Sequence, residues 1–264
     1  MACVLVIQQY IYFQIVNHKI STQMKRRIIL SVLIIASLGL TSCWKADYFP
    51  CVSPRGASIE EYRHTGEFNG INLRMNANVY VSVGQEHSIT IVAAENILEL
   101  IETKSTGTKL IIDSSRCLRT RNNDVSVFIT MPEIDLLRVA GSGNIVVDNF
   151  FYGESIAAEV SGSGKIYFSG EFDRINSSVS GSGVIDMIGN SRVQNSQISG
   201  SGRIEALQME SQVVDVRISG SGEVCVFAIE KLDARISGSG KVYYKGNPSV
   251  NINISGSGNV YHLQ

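Results

Sequence analysis

Carboxylates, histidines, cysteines and serines are the side chains that could do chemistry in this 264-residue chain. The best-spaced carboxylates are Asp215 and Asp233, one repeat apart, which strand stacking would set about 4.8 Å from each other. Polysaccharide-cleaving enzymes use such a pair, at about 5–9.5 Å, as acid and base or nucleophile. Arg217 and Arg235 stand beside these two, so a surface ion-pair patch is the simpler reading. Asp186 and Glu205 form a similar pair with the same discount. None of His18, His64, His87 and His262 recurs with the repeat, and no His-x-x-x-His spacing occurs. Cys3, Cys43, Cys51, Cys117 and Cys225 show no Cys-x-x-Cys spacing, so no metal site is expected. With Cys3 and Cys43 set aside, three remain, and the odd count favours free buried or half-buried thiols over a disulfide framework. Serines abound, but no strand-to-helix nucleophile elbow holds one, and the glycine-rich segments lead into strands rather than phosphate-binding helices. No enzyme activity and no cofactor are expected.

The elements that would position these groups begin after residue 42. Met24-Lys25-Arg26-Arg27 is a basic head, followed by an apolar run from Ile28 to Leu40 and then Thr41-Ser42-Cys43. That order describes an export signal, and the run is shorter than the roughly 20 residues a spanning helix needs. A cysteine directly after small residues resembles a bacterial lipobox, making Cys43 the expected lipidated N-terminus and the membrane a partner through its lipid. Residues 1–23 precede a complete signal, so the expected start is Met24, the alternative being a membrane-inserted leader. Residues 1–42 are thus read as leader and 43–56, with Pro50 and Pro54, as a tether. Lys and Arg number 23 against 24 Asp and Glu, without the basic surplus that nucleic acid binding needs. Glycine is common (24) and proline scarce (4), unlike a disordered linker, so the glycines belong at defined turns.

From residue 139 the chain repeats itself. Val139-Ala140-Gly141-Ser142-Gly143-Asn144-Ile145 is followed by Val160-Ser161-Gly162-Ser163-Gly164-Lys165-Ile166. Five further copies carry the glycine pairs Gly181 and Gly183, Gly200 and Gly202, Gly220 and Gly222, Gly238 and Gly240, Gly256 and Gly258. The period is 18 to 21 residues, which reads as a solenoid. Val214, Val216 and Ile218 alternate with Asp215 and Arg217, and alternation resumes after each turn, as in Val224 with Val226. Period two means strands with one buried face. The expected fold is all-β, a single-stranded parallel β-helix of 18–21-residue coils, right-handed by expectation. Continued alternation would turn both glycines inward and both serines outward.

Residues 57–134 lack the signature but read as strands at Asn78–Val83, Ser88–Val92, Lys109–Asp113 and Val125–Met131, with a helical turn within Ala94–Leu100. An irregular start of the same solenoid is favoured over a separate cap; residues 135–264 form the regular repeats. The residues after the second glycines are Asn144, Lys165, Val184, Arg203, Glu223, Lys241 and Asn259, a ladder too mixed in charge to cage calcium. Tyr167, Tyr243 and Tyr261 lie two positions beyond Lys165, Lys241 and Asn259 on the same outward face. They either cover the sheet or form a binding face for a glycan or cell-surface protein. An uncapped solenoid end also invites end-to-end homo-association.

Residues 62 to 260 resemble the auto-transporter adhesin head, or GIN, domain common in lipoproteins of Bacteroidota. The resemblance rests on Phe68-Asn69-Gly70-Ile71, Asn78-Val79-Tyr80-Val81, Glu95-Asn96-Ile97-Leu98, the segment Leu137 to Ile145 and the later Ser-Gly-Ser-Gly copies. It implies a β-helix in the periplasm or on the cell surface, an outer-membrane lipoprotein with an adhesive role and no catalytic residues. Two functions from different classes follow: a binding module for a glycan or surface partner, or an envelope scaffold without a specific ligand.

Overall fold

A computed structural model describes residues 50–121 and 124–264; the leader and Cys43 lie outside the described residues. The first strands are β1 (Ser58–Arg63), β2 (Gly70–Leu73), β3 (Asn78–Val83) and β4 (Ser88–Ala94). A one-turn helix α1 (Glu95–Leu98) leads into β5 (Ile101–Thr106), β6 (Lys109–Ser114), β7 (Val125–Met131) and β8 (Leu136–Gly141). The regular coils follow as β9 (Asn144–Gly162), β10 (Lys165–Gly181), β11 (Val184–Gly200), β12 (Arg203–Gly220) and β13 (Glu223–Gly238). The last coil is broken into β14 (Lys241–Lys245), β15 (Ser249–Gly256) and β16 (Asn259–His262). From β8 onward every pairing is parallel and each rung meets the next, making the β-solenoid that the repeat announces. Among the described residues no helix is long and apolar enough to cross a membrane.

Alternation builds the core. Ile145, Ile166, Ile185, Ile204, Val224 and Val242 stand in register on successive coils, all buried. A second row, Val139, Val160, Val179, Ile198, Ile218 and Ile236, runs beside it. Each such side chain contributes roughly 1.5–3 kcal/mol only when the neighbouring coil covers it, so stability accrues by stacking. The interior is not wholly apolar. Buried Gln194 donates to Ser196 Oγ (3.0 Å) and accepts from Ser211 Oγ (2.9 Å), while Ser177 and Ser191 close the network. Every member has a partner, which removes the penalty of burying it.

The glycine pairs divide their labour, which refines the expectation that both face inward. The first of each pair has positive φ and, up to Gly238, is half-buried at the corner; φ is +125° at Gly162, where a Cβ would lie 2.5 Å from the carbonyl oxygen of Gly141. The second is buried up to Gly240: a Cβ on Gly164 would meet Val139 Cγ1 at 2.4 Å. The serine between them is exposed, and its N–H donates to the preceding coil's glycine, as Ser182 does to Gly162 O at 2.9 Å.

Residues 57–134 stack on the same axis, but not in chain order. The coil made by β2 and β3 lies directly against β8 and β9, while β6 and β7, later in the chain, pair on its other side. Beyond them, β4 runs antiparallel to β7, β1 antiparallel to β4, and β5 antiparallel to β6. The thiol expectation also needs correction: Cys51 and Cys117 form a disulfide, and only Cys225 of the described cysteines is free, and buried. Val52 bridges Leu118 beside it, fastening the segment read as a tether to the fold.

Candidate functional site

One outward ladder runs the length of the described solenoid. Register places Tyr62, Thr90, Phe128, Tyr80, Val146 and Tyr167 on successive rungs, followed by Asp186, Glu205, Cys225, Tyr243 and Tyr261. Tyr243 and Tyr261 stack with ring centroids 5.1 Å apart and planes 18° apart. Tyr80 and Phe128 stack likewise at 5.3 Å, also at 18°. Tyr62 (73% exposed) and Tyr261 (42% exposed) stand at the two extremes. Of the tyrosines named from sequence, the structure brings Tyr243 and Tyr261 together. It leaves Tyr167 four rungs away, about 19 Å at the spacing of paired strands. Lys165 and Lys241 occupy the adjacent outward ladder, separated by Val184, Arg203 and Glu223. Tyr62, Tyr80 and Phe128 escaped the sequence reading because no glycine signature marks their strands. Alternation within each strand was the one clue, and it does not give the neighbour.

Of the two remaining faces, the one before each turn is polar. On the strands before each turn, Glu159, Asn176, Asn195, Gln197, Asp215 and Arg217 line a depression of about 500 Å³. Asp215 is bound by Arg235 (2.7 Å) and Arg217 (3.0 Å), while Asp233 is held by Lys231 (2.7 Å) and accepts from Asn251 (2.9 Å). Lys231, with Asn251, keeps the Asp233 carboxyl below the usual carboxylate range. A general acid needs the opposite shift, so the ion-pair reading of this pair fits its surroundings. The third face, which lacks a consensus in sequence, has a depression of about 710 Å³ lined by Tyr152, Glu171, Asn190, Arg192 and Glu210 among others.

Residues 67–248 match the family described as "Putative auto-transporter adhesin, head GIN domain". The chain belongs to this family. Among solved structures, the GIN domain described here is similar to a putative adhesin from Bacteroides fragilis (TM-score 0.75, 22% identity, 80% of this chain and 100% of that one). It is also similar to a putative lipid binding protein from Parabacteroides distasonis (TM-score 0.69, 21% identity, 81% and 100%). A putative adhesin from Parabacteroides merdae resembles it at TM-score 0.65 and 18% identity, over 81% and 99%. No curated protein matches the chain.

In this GIN domain the middle of the aromatic ladder is acidic. Burial, then the neighbouring Glu205, pushes the Asp186 carboxyl upward. Burial, then Glu205 and Glu223, pushes the Cys225 thiol up to about 12, so it stays protonated at neutral pH and is a poor nucleophile. The ligand atoms of Glu205, Glu223 and Cys225 lie within 4.8 Å of one another, a spacing a metal ion could use. Arg203 already occupies that position electrostatically, 2.9 Å from Glu205 and 3.0 Å from Glu223. A cation would have to displace the guanidinium and strip the thiol proton.

Proposed function

We propose that the chain is an exported, lipid-anchored GIN-domain binding module, held to the outer membrane through Cys43, that grips a glycan on the outward aromatic ladder and catalyses nothing. The stacked pair Tyr243–Tyr261 carries the reading. The ladder ends at Tyr261, backed on one face by Tyr243, which leaves its other face open to the flat face of a sugar ring. Lys241 and Asn259 beside the pair supply hydrogen bonds to hydroxyls, and Tyr80–Phe128 forms a second stacked pair farther along the ladder. The names of the family and of its structural neighbours, adhesins and a lipid binding protein, support a binding role. The basic head, apolar run and Cys43 support the anchor.

The competing reading is an envelope scaffold, favoured by the way the charges on the strands before each turn satisfy one another. Glycan-array binding of the purified chain separates the two. Replacing Tyr243 and Tyr261 by Ala is expected to weaken the strongest glycan signal at least about tenfold, a loss of about 1.4 kcal/mol or more. Binding indifferent to both substitutions, or no glycan bound at all, sinks the binding face. Intact-mass analysis of membrane-extracted protein tests the anchor separately: a chain beginning at acylated Cys43 is expected, and an unacylated mass overturns it.

A further inference from the structure

The two ends of the described solenoid are built differently. At one end the outermost strands are β1 and β5, each paired on one side only. β1 carries Glu60, Glu61 and Arg63, and β5 carries Glu102 and Lys104. Charges along a free edge are a common way for a sheet to refuse another strand. At the other end, β15 pairs only with β13 and β16 only with β14. Here the protection is missing: residues 246–264 contain no Asp, Glu, Lys or Arg, whereas every earlier coil from β9 onward carries at least two.

Beneath that neutral edge the core is open. Leu232, Ala234 and Ile236 are buried on the coil before, but their successors Val250, Ile252 and Ile254 have no coil above them. Ile252 is 47% exposed and Ile254 39%. An uncharged edge over an exposed apolar row is a template for strand addition.

We propose that the chain self-associates head to head, two copies joining through antiparallel pairing of β15 with the β15 of the second copy. A twofold axis makes strands that face each other antiparallel and lets one surface complement itself. Centring the pair on Ile252 sets Val250 opposite Ile254, Asn251 opposite Asn253, and Ser249 opposite Ser255 of the second copy. Apolar side chains then meet inside, amides meet amides outside, and no charge is buried. A slip by one residue would turn the apolar row outward, and a slip by two would match two apolar pairs instead of three, so the centred register is favoured. Head-to-tail stacking would instead lay this neutral edge on the charged β1 or β5, which favours a closed dimer over an open filament.

Sedimentation velocity of the purified full chain across a wide concentration series tests this. Wild type is expected to pass from monomer to dimer and stop there. Asn251→Lys with Asn253→Lys, both at exposed positions, sets like charges opposite each other and is expected to weaken dimerisation at least about tenfold. As a second readout that does not depend on weakening the fold, Ile252→Cys lies on the twofold axis. Paired strands bring opposed Cα atoms to about 4.5–5.5 Å, within disulfide reach, so oxidation is expected to trap a covalent dimer, where wild type dimerises without a covalent link. Three results overturn the proposal: a monomer at every concentration, growth beyond the dimer, or a dimer indifferent to the paired lysines that Ile252→Cys does not trap.

Discussion

The glycine pairs show how a single missing methyl group can decide a fold. Gly200 has φ +123°, and a Cβ on it would lie 2.7 Å from the carbonyl oxygen of Gly181, the backbone of the previous coil. Gly107, in the turn between β5 and β6, also has positive φ (+60°), yet a Cβ there meets nothing within 4 Å. The two positions therefore separate conformational strain from close approach. Gly107→Ala is expected to cost about 1 kcal/mol, the left-handed penalty alone. Gly200→Ala adds a clash with backbone that cannot move without parting two coils, and more than about 3 kcal/mol is expected. Chemical denaturation of both variants beside wild type checks this. Equal losses would mean that the close approach of the coils does not depend on glycine at this corner.

At the scale of strands, what could be read in advance depended on whether a segment carried its own ruler. In residues 139–260 the recurring glycines set the register, and Asp215 and Asp233 stand on adjacent rungs as their spacing of one repeat implies. The strands of residues 78–131 were legible one by one, since alternation is local. Their order was not, because nothing in β6 or β7 says that they pack outside β2 and β3. The Tyr80–Phe128 stack and the disulfide were hidden for the same reason: each joins residues far apart in sequence. Cys51 and Cys117 are 66 residues apart and enclose β1 through β6. A loop of that length makes the cross-link worth up to about 4 kcal/mol through the unfolded chain's lost entropy. Cys51→Ser with Cys117→Ser is expected to lower stability by about 2–4 kcal/mol. The loss should be local, so thermal melts should gain an early phase while the repeats melt unchanged. A uniform downward shift of one transition would instead make the whole solenoid a single cooperative unit.

Across the whole molecule, a solenoid's stability is a chain of nearest-neighbour contacts, so its ends set how it opens. The disulfide and three antiparallel pairings close the first end, whereas β15 and β16 rest on one neighbour with their apolar row half open. Opening should therefore begin at β15 and β16 and travel inward, coil by coil. Hydrogen exchange at low protein concentration is expected to show protection rising from β16 and β15 through β13 to a plateau at β10–β12. The Tyr243–Tyr261 platform straddles this frayed end, so the rigidity that suits it for gripping a ligand has to come from outside the coil. Head-to-head pairing would supply it, and the two inferences then meet in one observable. As protein concentration rises, protection of β15 should climb toward that of β13, while β1 and β5 stay as they were. Protection of β15 independent of concentration, with β16 already as slow as β12, would show that the last coil needs no partner to be ordered.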